Sequence, residues 1–292
     1  MMQHQKFWFI TGCSTGFGRA LTEAILECNE TVVATTRQPQ QLEDLAQQYG
    51  DRILVVRLDV TQSVEIEVAV NQAITKFGRI DVLVNNAGYG VFGAVEEVND
   101  LDVRRQFETN VYGALSMTRA VLPHFRRQGS GHILNISSSG GFVGFAGAGI
   151  YCASKFALEG WSEALAKELA PLGIYVTIIE PGAFRTAFNS ALTVSNLAIA
   201  DYAATSGQML QWLRQMDGQQ PGDPKKAAAA MMQVASHPNP PLRLVLGMDT
   251  LEAIYAKLEA VAAELAAWQD ISINTAFEGV EVSTIGGQRL SE

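Results

Sequence analysis

Of the seven tyrosines in the chain, only Tyr151 has a lysine four positions on, Lys155. On a helix that spacing puts both side chains on one face, about 5–6 Å apart at Cβ. An ammonium beside a phenol favours phenolate. The pair therefore predicts a tyrosine pKa lowered from about 10 towards the working range of a general acid/base. Upstream stands Ser138, in Ser137-Ser138-Ser139-Gly140 at the exit of an apolar run. Its hydroxyl and the phenol can donate together to one substrate oxygen, stabilising the charge that develops when hydride reaches a carbonyl carbon. A plain turn serine is the alternative reading.

A second group of residues has the chemistry of a phosphate cradle. Thr11-Gly12-Cys13-Ser14-Thr15-Gly16-Phe17-Gly18 lies between an apolar run and a helix-patterned segment. Glycines there allow positive φ and close backbone approach to a pyrophosphate, and the helix N-terminus attracts its charge. A Gly-rich turn without a ligand is the bland alternative. About 20 residues further on, a carboxylate would hydrogen-bond an adenosine ribose diol. The sequence instead reads Thr35-Thr36-Arg37. Arg37 would grip a 2′-phosphate, so NADP(H) is expected in preference to NAD(H). The alternative is a solvated strand-end charge. Asp59-Val60, Asn85-Asn86-Ala87-Gly88, Ser137 to Gly140 and Pro181-Gly182 fall at the carboxyl ends of later runs, and together predict one shared crevice.

The elements that must position these residues follow from pattern. Apolar, β-branched runs at 6–11, 31–36, 52–58, 80–85, 131–137, 174–180 and 242–246 read as seven strands. Helical patterns at 17–28, 39–48, 62–77, 102–128, 153–171 and 224–236 alternate with them. The expected fold is α/β, a Rossmann-type doubly wound, seven-stranded parallel sheet in a single domain over 1–292. Its core spans about 6–247. A lid segment occupies about 183–223, and a helix near 249–268 with a polar, Gly-containing tail at 270–292 forms a C-terminal extension.

Composition excludes other classes. Hydrophobic residues make up 48% and charged residues 17% of 292, which suits a globular protein with a large core. A net charge of −9 has the wrong sign for a general nucleic-acid binder. Cys13, Cys28 and Cys152 are too widely spaced for a disulfide framework or a zinc set, and the four histidines show no ligand spacing, so no metal is expected. The thiols read as small packing residues, because no adjacent base activates them. No secretion signal or membrane span is visible, and a reducing, cytoplasmic setting is the expectation.

Thr11-Gly-x-x-x-Gly-x-Gly18, Asn85-Asn-Ala-Gly88, Ser138, Tyr151-x-x-x-Lys155 and Pro181-Gly182 stand in the order found in short-chain dehydrogenases/reductases, and the chain resembles that family over about 6–247. Tyr151-Cys-Ala-Ser-Lys-Phe-Ala-Leu-Glu-Gly160 is similar to the corresponding stretch in 17β-hydroxysteroid and retinol dehydrogenases. The resemblance implies Tyr151 as proton donor and acceptor, Lys155 as its modulator and a holder of the nicotinamide ribose, and Ser138 as the residue that orients the carbonyl. It implies a fourth member, Asn110, supporting a water between the lysine and solvent. A plain helical Asn is the alternative. By the same resemblance, Asp59 and Val60 would contact adenine, Asn86, Ala87 and Gly88 would flank the cofactor, and Thr186 would meet the carboxamide.

The expected activity is interconversion of an apolar ketone or aldehyde with its alcohol. Val143, Phe145, Phe188, Met209 and Trp212 would line the substrate pocket with Ser138 and Tyr151. Two other functions compete: a non-catalytic NADP sensor, which would tolerate loss of Tyr151 or Lys155, and a sugar-nucleotide epimerase or dehydratase, which usually has different glycine spacing. The resemblance also implies a homodimer or homotetramer built on the 102–128 and 153–171 helices.

Overall fold

The computed structural model describes residues 5–189 and 192–277. The first half runs β1 (Phe7–Ile10), α1 (Gly16–Glu27), β2 (Thr31–Thr36), α2 (Glu43–Tyr49), β3 (Ile53–Arg57), α3 (Ser63–Phe77), β4 (Val82–Asn85) and β5 (Val91–Phe92). Then come α4 (Asp100–Phe107), α5 (Ala114–Gln128), β6 (Gly131–Ile136), α6 (Gly149–Leu169), β7 (Ile174–Pro181) and β8 (Thr193–Val194). The chain continues through α7 (Gln208–Gln215), α8 (Pro224–Ala235), β9 (Arg243–Leu246), α9 (Met248–Ala267) and α10 (Gln269–Ile273).

Seven strands form one parallel sheet in the order β3-β2-β1-β4-β6-β7-β9. Successive side chains of a strand point to opposite faces. In β1, Trp8 and Ile10 pack with Leu21, Ile25 and Met231, while Phe9 packs with Val70, Val121 and Phe125 on the other side. Helices thus cover both faces, and all six residues of β2 are buried, threonines included. The order reverses between β1 and β4, the topological switch point at which open α/β sheets bind ligands beyond the strand ends.

The expected sheet and single domain are present, with four departures in detail. The segment expected as one helix at 102–128 is broken: α4 starts at an Asn99 cap that accepts from Asp102 N–H, and a π-helical turn at Glu108–Gly113 separates it from α5. The 153–171 helix starts earlier, as α6 at Gly149, which places Tyr151 inside it. The 39–48 segment divides into a 3-10 turn at Pro39–Leu42 and α2. The long connection at 183–223 is structured, carrying β8 and α7, and β8 pairs with β5 through Val91 with Thr193 and Phe92 with Val194.

No helix among the described residues is long and apolar enough to cross a membrane. In α9 only Thr250 and Ile254 are buried. The expected tail begins within α10 and lies outside the described residues from 278 onwards.

Candidate active site

The glycine-rich turn is fixed by its neighbour across the switch point. Thr11 N–H donates to Val84 O at 3.0 Å, and Cys13 N–H to Thr35 O at 2.8 Å. Asn86 then laces the two loops together: its Nδ2 donates to Thr11 O and Gly12 O, each at 2.8 Å, and its N–H donates to Thr11 Oγ1 at 3.0 Å. Gly12 has φ +72°, and a Cβ there would meet Ala87 Cα at 3.0 Å, so both conformation and space require glycine. At the start of α1, Thr15 makes no side-chain cap and no acid stands in the first turn. The positive end of a 12-residue helix therefore faces the cleft unneutralised.

One cavity of about 1550 Å³ runs from this turn to the far side of Tyr151. It is lined by Gly12, Ser14, Thr15, Gly16, Phe17, Arg37, Asp59, Val60, Asn86, Ala87, Gly88, Pro181, Gly182 and Thr186 at the end expected to take a dinucleotide. Arg37 is exposed at its mouth. Asp59 is held by Thr61, whose N–H and hydroxyl both donate to its Oδ1. A cradle with two positive-φ glycines, an open helix end and an arginine at its rim fits a dinucleotide phosphate in shape and charge.

Two expected site residues lie beneath this lining. Gly18 is a packing residue: a Cβ there would sit 2.2 Å from Gly12 O. Asn110 is buried in the π-helical turn, where its Oδ1 accepts from Tyr89 N–H at 3.1 Å and its Nδ2 donates to Tyr89 O at 2.9 Å and Ser154 Oγ at 3.1 Å. It anchors the loop after Gly88.

Tyr151 and Lys155 project from α6 into the cavity, and Ser138 faces them from the end of β6. Ser138 Oγ accepts from Gly140 N–H at 3.1 Å and lines the cavity together with the phenol. Lys155 Nζ donates to Ile136 O at 2.8 Å and lies 5.9 Å from the Tyr151 ring centre. The expected lowering of the tyrosine pKa is corrected here. Burial pushes the phenol up to about 12, against a smaller opposing effect from Ser138, and desolvation brings Lys155 down to about 8 despite the nearby Glu159 charge. The buried tyrosine is a phenol at neutral pH, the form that donates a proton.

Beyond the phenol the wall is apolar. Phe92 stacks on Tyr151 with ring centres 5.6 Å apart, and Phe188 closes on the same ring at 5.7 Å. Phe145, Met209 and Trp212 line this end as expected. Val143 does not. The turn carrying it folds back, with Phe142 N–H and Val143 N–H both donating to Ser139 O, and Phe145 reaches the cleft instead. Phe92, Leu213 and Met216 also line the cavity and were missed: β5 is too short for a period to appear, whereas Leu213 and Met216 share the face of Met209 at i+4 and i+7, a spacing that could have found them. Asp249 was missed too. Its Oδ2 accepts from Ala183 N–H at 2.7 Å, pinning the loop after Pro181. The Gly247-Met248-Asp249 start of α9 was its only trace in the sequence. Burial pushes the Cys13 thiol up to about 12 and raises that of Cys152, as befits packing residues.

The family model described as short chain dehydrogenase matches residues 6–196. The chain belongs to the short-chain dehydrogenase family. A solved short-chain dehydrogenase from Streptomyces avermitilis superposes with a TM-score of 0.87 at 43% identity, covering 94% of this chain and 100% of that one. A 3-ketodihydrosphingosine reductase of Bacteroides thetaiotaomicron is 39% identical over 250 residues, 85% of this chain and 90% of its own. Retinol dehydrogenase 8 of Homo sapiens is 34% identical over 253 residues, 80% and 79% of the respective chains. This short-chain dehydrogenase is thus an oxidoreductase.

Proposed function

We propose that this short-chain dehydrogenase interconverts an apolar ketone or aldehyde with its alcohol, using NADP(H) in preference to NAD(H). The observation that carries the reading is a buried phenol and a serine hydroxyl lining the same cavity as the glycine cradle, with aromatic rings packed on the phenol. The retinoid and sphingoid names of the two relatives agree with an apolar substrate. A solved structure at 27% identity, ElxO, has NADP bound, and a reductase from Brucella melitensis at 28% is complexed with NADH, so the preference here rests on Arg37.

The turn at Gly12–Gly18 and the start of α1 would hold the pyrophosphate, Arg37 the 2′-phosphate, Asp59 and Val60 the adenine, and Asn86 to Gly88 the middle of the dinucleotide. Lys155 would take the nicotinamide ribose, with Pro181, Gly182 and Thr186 at the carboxamide. When bound, the cofactor supplies or accepts the hydride at the carbonyl carbon. Tyr151 holds the proton that the carbonyl oxygen takes, and Ser138 donates a second hydrogen bond to that oxygen. Each pre-aimed donor is worth about 3 kcal/mol as negative charge develops there. Phe92, Phe188, Phe145 and Met209 exclude water, which strengthens both bonds.

Free Cys13, Cys28 and Cys152 support a reducing, cytoplasmic setting. Exposed Leu101, Tyr112 and Phe156, on α4, the π-helical turn and α6, support a homodimer or homotetramer joined there.

The test is NADPH and NADH consumption across aromatic, steroid, retinoid and short aliphatic carbonyl compounds, with Tyr151→Phe as the blank. The variant should bind NADPH like the parent and lose about a thousandfold in turnover, because only the phenolic proton is gone. Turnover that survives in the variant overturns the reading. NADPH binding with no turnover of any compound by the parent favours a sensor.

A further inference from the structure

Below the catalytic turn lies a buried ionic cluster that the chemistry above does not use. Glu159, one turn beyond Lys155 on α6, is 4% exposed, and Glu180 on β7 is 0% exposed. Arg243 on β9 donates to both carboxylates, at 2.6 Å to Glu180 Oε1, and more weakly to Glu163 at 3.4 Å. Its guanidinium also lies 5.4 Å from the centre of the Phe142 ring. The charged groups facing Glu159 are therefore Arg243 from β9, Glu180 from β7, and Lys155 and Glu163 from its own helix.

The cluster touches both arms of the site. Ser137 Oγ donates to Glu159 Oε1 at 2.6 Å, and Ser137 precedes Ser138 in the chain. The turn over them is so close that a Cβ on Gly141 would fall 2.1 Å from Glu159 Oε1 and 2.2 Å from Ser137 Oγ. The other arm is Lys155, whose ammonium the Glu159 charge favours. Without that carboxylate, the turn carrying Ser138 would lose its charged anchor and the buried lysine its stabilising anion.

We propose that Glu159, braced by Arg243, is a positioning residue: through Ser137 it fixes the turn that carries Ser138, and it sets a carboxylate one helical turn beyond Lys155. The proposal rests on the carbonyl-reductase reading above. Charge-assisted hydrogen bonds of this kind are about twice as strong as neutral ones, which suits an anchor for a residue that must be placed to within a fraction of an ångström.

The experiment compares kcat, KM and the pH dependence of carbonyl reduction in the parent, Glu159→Gln and Ser137→Ala, with Tyr151→Phe as the blank. Ser137→Ala keeps every charge, so it should lower kcat about tenfold with KM for NADPH within about twofold and no change in pH profile. Glu159→Gln should move the alkaline limb of kcat to lower pH by about one pH unit, since Lys155 loses the anion beside it. Should Glu159→Gln fail to fold, Glu159→Asp replaces it: the charge stays and so does the limb, while the shorter reach lowers kcat. An unmoved limb in Glu159→Gln, a moved limb in Glu159→Asp, or parental kcat in Ser137→Ala each overturns the proposal. Turnover in Tyr151→Phe overturns instead the reading on which it rests.

Discussion

Gly18→Ala is the sharpest test of how the glycine cradle is built. An alanine Cβ at 18 would lie 2.2 Å from Gly12 O and 2.6 Å from Asn86 Nδ2. Ordinary contact needs about 3.4 Å, so the turn must open by about 1 Å. Neither neighbour can yield cheaply. Gly12 O is held by Asn86 at 2.8 Å, and Gly12 packs so closely on Ala87 that a Cβ on it would lie 3.0 Å from Ala87 Cα. Overpacking costs about 1–3 kcal/mol and the broken Asn86 bond about 1 more, so the variant should lose about 2–4 kcal/mol of stability. The displaced turn should also weaken NADPH by at least about tenfold. Urea unfolding followed by circular dichroism measures the first quantity and NADPH fluorescence titration the second. Gly16→Ala is the control for stability alone: its Cβ would meet no protein atom nearer than 3.6 Å, so only the strain of φ +59° remains, about 1 kcal/mol. Parental stability and affinity in Gly18→Ala would refute the packing argument.

Two further variants examine charge. Arg37→Asp should weaken NADPH at least about tenfold while leaving NADH within about twofold, read by fluorescence titration of each; equal losses would remove the 2′-phosphate argument. Burial and the neighbouring Glu159 push the Glu180 carboxyl up to about 7, with Arg243 opposing. A carboxyl raised on folding contributes stability that is complete below about pH 4.5 and drains away as pH rises through 7. Glu180→Gln should therefore gain about 1–3 kcal/mol at pH 8 and little at pH 5, measured by urea midpoints at the two values. An equal gain at both would show that the effect is not one of ionisation.

The sheet was legible because its strands are buried on both faces. Val32-Val33-Ala34 and Val82-Leu83-Val84 carry no polar interruption, and each is followed by a small or polar residue where the cleft opens. The pairing of Tyr151 with Lys155 was legible because both are local to one helix. What escaped depends on contacts distant in sequence. The π-helical turn at 108–113 carries Asn110 to the Tyr89 backbone, and nothing in Glu108-Thr109-Asn110-Val111 announces it. Pairing of β5 with β8 joins two-residue strands, too short for a period to appear. Arg243 meets Glu159 and Glu180 only because β9 lies beside β7. The rise in the Tyr151 pKa was missed because spacing reports proximity to a charge and says nothing of desolvation.

Tyr151, Lys155 and Glu159 stand four residues apart along α6, and each faces a different partner: the aromatic wall, the Ile136 carbonyl and Ser137. A helix turns about 100° per residue, so two strides of four drift by only about 80°. An inserted or deleted residue anywhere between 151 and 159 would swing everything on one side of it by a further 100°, sending the phenol, the lysine or the carboxylate into the wrong layer of the protein. Substitutions along this stretch change one group at a time, whereas a change of length would dismantle the arrangement at once. The interval itself is therefore under as strong a constraint as the three side chains that mark it.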